Sequence, residues 1–147
     1  MDEFIMAAIK FDDQSIRCIT IFENITNTQV KDCIEREDTI YFIVSPGQLL
    51  LAIGKNGSKI RRLRGLFHKN IKVIEYSPKT ETFIRNIFHE FPIKDIRIEE
   101  SKDKKNKIAF VSVDIRDKGK IIGRDSKNLK LAKEILNRHN KMDILIV

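Results

Sequence analysis

Apolar and polar positions along this chain follow two alternating rhythms, and each change of rhythm marks an element boundary. Residues 12–23 carry Ile16, Ile19 and Phe22 at helical spacing, with Cys18 and Ile21 widening the stripe. Asp12 or Asp13 stands where an N-cap is expected. Residues 28–34 and 39–45 then read as strands, the second rich in β-branched and aromatic side chains. The acidic stretch 35–38 joins them as a turn. Pro46 stands where a helix could begin. Residues 48–53 form a short apolar helix, residues 54–57 interrupt it, and residues 58–68 form a second helix. There Ile60, Leu63 and Phe67 share one face, while Lys59, Arg61, Arg62 and Arg64 lie largely off it. Residues 71–76 form a closing strand, and Ser77-Pro78 ends the unit.

The same order then restarts. Residues 80–91 carry Phe83, Ile84, Ile87, Phe88 and Phe91 at helical spacing, and Pro92 stops that helix. Residues 93–99 and 108–114 read as strands around a charged loop, 101–107. A short helix (118–122), an interruption (123–126), a longer helix (127–138) and a closing strand (142–147) complete the set. One offset carries Ile53-Gly54 onto Ile122-Gly123, since 122 − 53 = 69. The same offset maps Val44 on Val113, Lys55 on Arg124, Gly57 on Ser126, Ile60 on Leu129, Leu63 on Ala132 and Phe67 on Leu136. A tandem duplication accounts for this register. Two units are too few for a solenoid, so the expected organisation is a pair of small domains, residues 1–78 and 79–147.

Charge adds a preference for polyanions. The formal net charge is +7 and the isoelectric point about 9.5. Residues 53–72 hold seven Lys or Arg and no acid, and residues 116–141 hold nine against three acids. The positive charge therefore gathers at the two equivalent helix–turn–helix segments. Glycine in such a turn permits positive φ and leaves no side chain between backbone and ligand. The helix that follows presents amide N–H groups and the positive end of its dipole. Lys55, or Arg124 in the second half, adds charge where phosphates would run, and apolar residues such as Ile53 and Ile60 wall a groove for bases. One such loop alone reads most simply as a helix C-cap. Its repetition in register, each time after Ile-Gly and before a basic helix, favours a nucleic-acid clamp. The candidate contact residues are Ile53, Gly54, Lys55, Asn56, Gly57, Lys59 and Arg62, with Ile122, Gly123, Arg124, Asp125, Ser126, Lys127 and Lys130.

The segment Gln48-Leu-Leu-Leu-Ala-Ile-Gly-Lys-Asn-Gly-Ser-Lys-Ile-Arg-Arg-Leu63 resembles the first KH motif of archaeal NusA-like transcription factors. The segment Lys118-Gly-Lys-Ile-Ile-Gly-Arg-Asp-Ser-Lys-Asn-Leu-Lys-Leu-Ala-Lys133 resembles their second. Phe22-Glu-Asn-Ile-Thr26 and Val30-Lys-Asp-Cys33 are similar to the family's N-terminal pattern. The resemblance implies an α+β protein of two tandem type II KH domains, each a three-stranded sheet with helices on one face. It implies a clamp for about four nucleotides of single-stranded RNA at each turn, and a role in transcription termination or antitermination on nascent RNA. Ribosome assembly or RNA processing is the alternative setting. Bacterial relatives place a polymerase-binding domain before the KH pair. A chain of 147 residues has no room for it, so contact with RNA polymerase is expected to be either absent or made through other surfaces. The second turn departs from the motif, with Ser126 in place of glycine and Asp125 beside it. Serine could serve there as an N-cap, and the carboxylate should repel phosphate. The first loop is therefore expected to dominate affinity.

The remaining signals point to packing and solvation. Cys18 and Cys33 form no Cys-x-x-Cys pair, and His68, His89 and His139 complete no metal-ligand spacing, so no metal or cofactor is expected. Neither a Walker A pattern nor a dinucleotide fingerprint is present. Asp12-Asp13 and Glu99-Glu100 read as cap and solvated strand end rather than acid–base pairs, which disfavours an enzyme such as a nuclease. Phe83, Phe88 and Phe91 read as core rather than as a stacking platform. No secretory signal or membrane span is read. The expected protein is a cytoplasmic, monomeric, non-catalytic RNA-binding factor.

Overall fold

The structure is a computed structural model that describes residues 12–103 and 105–147. The start of the chain, where no secretory signal was expected, and Lys104 of the charged loop lie outside the described residues. The chain divides into two compact units, one ending at Pro78 and one beginning at Lys79.

In the first unit Asp12 is the N-cap of α1 (Asp13–Thr26), its carboxylate accepting from the Ser15 amide at 2.7 Å. That amide bond holds the Asp12 carboxyl below its ordinary range. The helix passes the expected end at residue 23 and stops at Thr26, where Asn27 turns left-handed and donates to the Glu23 carbonyl. Its inward line is Cys18, Phe22 and Thr26, at i, i+4 and i+8. Ile16 and Ile21, expected on the apolar stripe, are 49% and 40% exposed. A threonine can hold the third inward position because its hydroxyl is satisfied, by the Phe22 carbonyl at 2.8 Å and the Thr28 hydroxyl at 2.6 Å.

Strands β1 (Val30–Arg36) and β2 (Thr39–Val44) form an antiparallel hairpin across a turn of two residues, Glu37 with φ 54° and Asp38. The turn is shorter than the four residues expected, because Glu35 and Arg36 remain in the ladder opposite Ile40 and Thr39. After α2 (Leu49–Ile53) and α3 (Ser58–Phe67), strand β3 (Asn70–Glu75) pairs with β2 in parallel, giving the sheet order β1-β2-β3. Helix α2 starts three residues after Pro46, with Pro46 and Gly47 in a turn. Cys18, Phe22, Ala52, Ile60 and Leu63 from the helices pack against Cys33, Ile40, Phe42, Val44 and Ile71 from the sheet. Phe22 stacks on Phe42 with centroids 4.1 Å apart. Both cysteines are free and buried, and burial pushes the Cys18 thiol up.

The second unit repeats the order: α4 (Thr80–Ile87), β4 (Asp95–Glu100), β5 (Lys107–Ser112), α5 (Ile115–Ile122), α6 (Lys127–Asn140) and β6 (Met142–Ile146). β4 pairs antiparallel and β6 parallel with β5. Helix α4 ends at Ile87, not at Pro92, because Phe88 leaves helical geometry at φ −101° and buries its ring. Helix α5 starts three residues earlier than expected. Asp114 caps it, accepting from the Arg116 amide at 3.0 Å, and the Arg116 side chain and amide hold this carboxyl low. Ile96, Ala109, Val111, Ile144 and Ile146 are buried on one face of this sheet. On the other, Arg97 lies over the Phe110 ring at 5.0 Å and Leu145 is 43% exposed. Each unit is thus an αββααβ fold with a mixed three-stranded sheet.

Phe42→Ala should destabilise the first unit by about 3–5 kcal/mol, while Ile16→Ala on the outer side of α1 should cost less than about 1 kcal/mol. Urea unfolding followed by circular dichroism checks both; equal effects would contradict the packing of α1.

Candidate nucleic-acid interface

Both units break their helix pair at the same point and in the same way. Helix α2 closes with the Gly54 amide donating to the Leu50 carbonyl, and α5 with the Gly123 amide donating to the Gly119 carbonyl, each at 3.0 Å. Gly54 then adopts φ 80°, ψ 169°, and Gly123 φ 82°, ψ 167°, a region essentially restricted to glycine. A short 3-10 turn follows, Lys55–Gly57 in the first unit and Arg124–Ser126 in the second. The middle residues are left-handed, Asn56 at φ 55°, ψ 29° and Asp125 at φ 56°, ψ 30°; Asn and Asp are the non-glycine residues that tolerate this best. Gly57 and Ser126 are left-handed too, at φ 72° and 60°. The Gly57 amide donates to the Gly54 carbonyl and the Ser126 amide to the Gly123 carbonyl, each at 3.1 Å. The loss of the second glycine has therefore left the backbone of the second turn unchanged.

A second requirement acts on the first glycine of each turn. A Cβ on Gly54 would lie 2.7 Å from the Lys59 Cγ and 3.0 Å from the Lys59 amide nitrogen. A Cβ on Gly123 would lie 2.8 Å from the Asn128 Nδ2 and 3.0 Å from the Asn128 amide nitrogen. At Gly57 the nearest atom is the Arg61 Nη1, at 3.4 Å. The first glycine is held by conformation and by close approach, the second by conformation alone.

The expected site residues fall as follows. Lys55, Asn56, Arg62, Arg124, Asp125, Lys127 and Lys130 are exposed, and Gly54, Gly57, Gly123 and Ser126 are half-buried. Ile53 and Ile122, which close the leading helices, are half-buried. Ile60, expected to wall the groove, is instead buried in the first core. Lys59 is half-buried, and its ammonium donates to the Thr26 carbonyl at 3.0 Å and the Leu51 carbonyl at 2.9 Å. Ser126 occupies the N-cap position of α6, but its hydroxyl makes no capping bond. A capping side chain needs an extended backbone to reach the helix amides, and φ 60° denies it that. Arg61, not among the expected contact residues, donates from its guanidinium to the Asn56 carbonyl and so braces the turn. A signal was present, because the 69-residue offset maps Arg61 onto Lys130. Among the described residues no cluster of His, Cys, Asp and Glu could hold a metal ion, and no helix is long and apolar enough to cross a membrane.

Two αββααβ units, each with a glycine turn between its central helices, define a tandem KH protein of type II. A family model described as a KH domain matches residues 17–78, and one described as a NusA-like second KH domain matches residues 80–144. The chain is 33% identical over 137 residues to the probable transcription termination protein NusA of Methanocaldococcus jannaschii, covering 93% of this chain and 74% of that one. It is 32% identical over 142 residues to the protein of the same name from Thermoplasma acidophilum, covering 97% of each. The crystal structure of APE1850 matches with a TM-score of 0.77 and 32% identity, over 93% of this chain and all of that one. The chain belongs to the archaeal NusA-like family.

The unequal constraints on the glycines give opposite expectations. Ser126→Gly should stabilise the second unit by about 0.5–1 kcal/mol by relieving a left-handed non-glycine residue. Gly54→Ala should destabilise the first by roughly 2 kcal/mol or more through strain and contact. Thermal melts of the two variants against the parent protein provide the check.

Proposed function

We propose that this protein binds single-stranded RNA at both turns, with residues 54–57 as the principal clamp, and acts in transcription termination without carrying out chemistry on the RNA. The observation that carries this reading is the paired backbone geometry of the two turns, kept through a change of residue type at the second glycine. Backbone kept under substitution is what a ligand gripped through main-chain amides requires. The relatives' printed name, probable transcription termination protein, supports the setting. RNA polymerase is then a partner reached through surfaces other than the turns, and the protein works as a cytoplasmic monomer.

The two clamps differ in charge. The first exposes Lys55 and Asn56 and is followed by a helix with Arg61, Arg62 and Arg64. The second exposes Arg124 beside Asp125. A carboxylate a few ångströms from a phosphate opposes binding by roughly 1 kcal/mol in water and by more where water is excluded. Affinity should therefore reside mainly in the first unit, with Arg124, Lys127 and Lys130 supporting a weaker second grip.

Gly57→Asp tests this directly. Ser126 occupies the equivalent position with the same backbone, so a side chain at 57 is compatible with the fold. The variant should keep its circular dichroism spectrum and lose RNA affinity by about tenfold or more, roughly 1.4 kcal/mol. Arg124→Glu should cost less, and Asp125→Asn should gain affinity. Fluorescence anisotropy with a labelled single strand reads all three; unchanged binding by Gly57→Asp would sink the proposal. For the parent protein, log affinity should fall with log salt by about 0.7 per phosphate contact.

A further inference from the structure

We infer that Lys59, and Asn128 at the equivalent place in the second unit, are positioning residues that lock each clamp turn to the helix before it. The inference rests on the RNA-binding reading above and gives Lys59 a role other than phosphate contact.

Three observations converge. The first is a shared hydrogen bond. Lys59 Nζ donates to the Leu51 carbonyl at 2.9 Å, and Asn128 Nδ2 donates to the Lys120 carbonyl at 3.1 Å. Donor and acceptor are related by the same offset, since 59 + 69 = 128 and 51 + 69 = 120. Two chemically different side chains thus make one bond, from the start of the helix after the turn to a carbonyl near the end of the helix before it. The second is position. The atoms nearest an added Cβ at Gly54 and at Gly123 include the side chain of Lys59 and of Asn128 respectively. Each brace lies across the first glycine of its turn. The third is chemistry. Carbonyls in the last turn of a helix lack intrahelical partners and carry its negative dipole end, so a donor there satisfies both. Lys59 is long enough to reach a second such carbonyl, Thr26 at the end of α1, at 3.0 Å. It ties three helices where Asn128 ties two.

An ammonium bonded to two carbonyls is already oriented, and its contribution to RNA binding is to fix the turn. Two variants separate this role from a charge effect. Lys59→Met keeps the stem over Gly54 and removes both bonds. Lys59→Asn removes the same charge but copies Asn128, and the matching backbone lets it reach the Leu51 carbonyl. With a labelled RNA strand, Lys59→Met should bind about tenfold more weakly than the parent and Lys59→Asn only about threefold. Both should keep the parent's salt slope, which a lost phosphate contact would lower by about 0.7. Amide hydrogen exchange supplies a readout without RNA. The Gly57 amide, bonded to Gly54, should exchange faster in Lys59→Met than in Lys59→Asn. The Ser126 amide should likewise exchange faster in Asn128→Ala than in the parent, which keeps the test alive if Lys59→Met does not fold. Equal weakening by Met and Asn with a reduced salt slope would overturn the inference in favour of a phosphate contact. Unchanged exchange at Gly57 and Ser126 would overturn it as well. Should the parent bind no RNA, the reading of function falls, and exchange alone decides the brace.

Discussion

The structure of each unit turns on one tight approach, between the backbone of a glycine ending one helix and the second residue of the next helix. At Gly54 the backbone takes φ 80° with ψ 169°, and the Lys59 amide nitrogen lies 3.0 Å from where a Cβ would stand. This combination lets α2 stop, fold over and hand the chain to α3 across the four residues 54–57. It also sends α2 and α3 back onto one sheet face, where Ala52, Ile60 and Leu63 join the core. The parallel pairing of β3 with β2 depends on it, because a parallel return needs a crossover and this helical pair is the crossover.

Within that frame the two turns separate geometry from chemistry. Their dihedral angles agree to a few degrees at the first glycine and at the middle residue. Their side chains do not agree: Asn56 is replaced by Asp125, Gly57 by Ser126, and Lys59 by Asn128. What persists is the backbone path of the turn, with its internal amide-to-carbonyl bond, and a side-chain donor that holds the preceding helix. What varies is charge. A turn specified by its backbone can drift this way, changing its charge without losing its geometry.

Much of this was legible in the residues. The alternation of helical and strand rhythms gave the order of elements, and the 69-residue offset exposed the repeat and both turns. What escaped has physical causes. The inward line of α1 runs through Thr26, a polar residue made acceptable by hydroxyl bonds to Phe22 and Thr28, and hydrophobicity alone selects Ile16 instead. The end of α4 was placed by Pro92, yet Phe88 had already left the helix to bury its ring. Lys59 on a basic helix reads as one more phosphate contact, and its two carbonyl partners are 8 and 33 residues away. Only the comparison of Lys59 with Asn128, different residues doing one job, could have signalled it.

The same unequal constraints explain which glycine changed. Replacing the second glycine of a turn costs only left-handed strain, about 1–2 kcal/mol for an ordinary residue, since the nearest atom to a Cβ on Gly57 is the movable end of Arg61 at 3.4 Å. Replacing the first adds a collision with the next helix's own amide, which cannot move without unseating that helix from the core. A domain with a few kcal/mol of stability in hand tolerates the former and not the latter. Ser126 with Gly123 intact is therefore the form in which a turn keeps its geometry after one glycine is replaced. Loss of the first glycine would mark a unit that had given up the turn altogether.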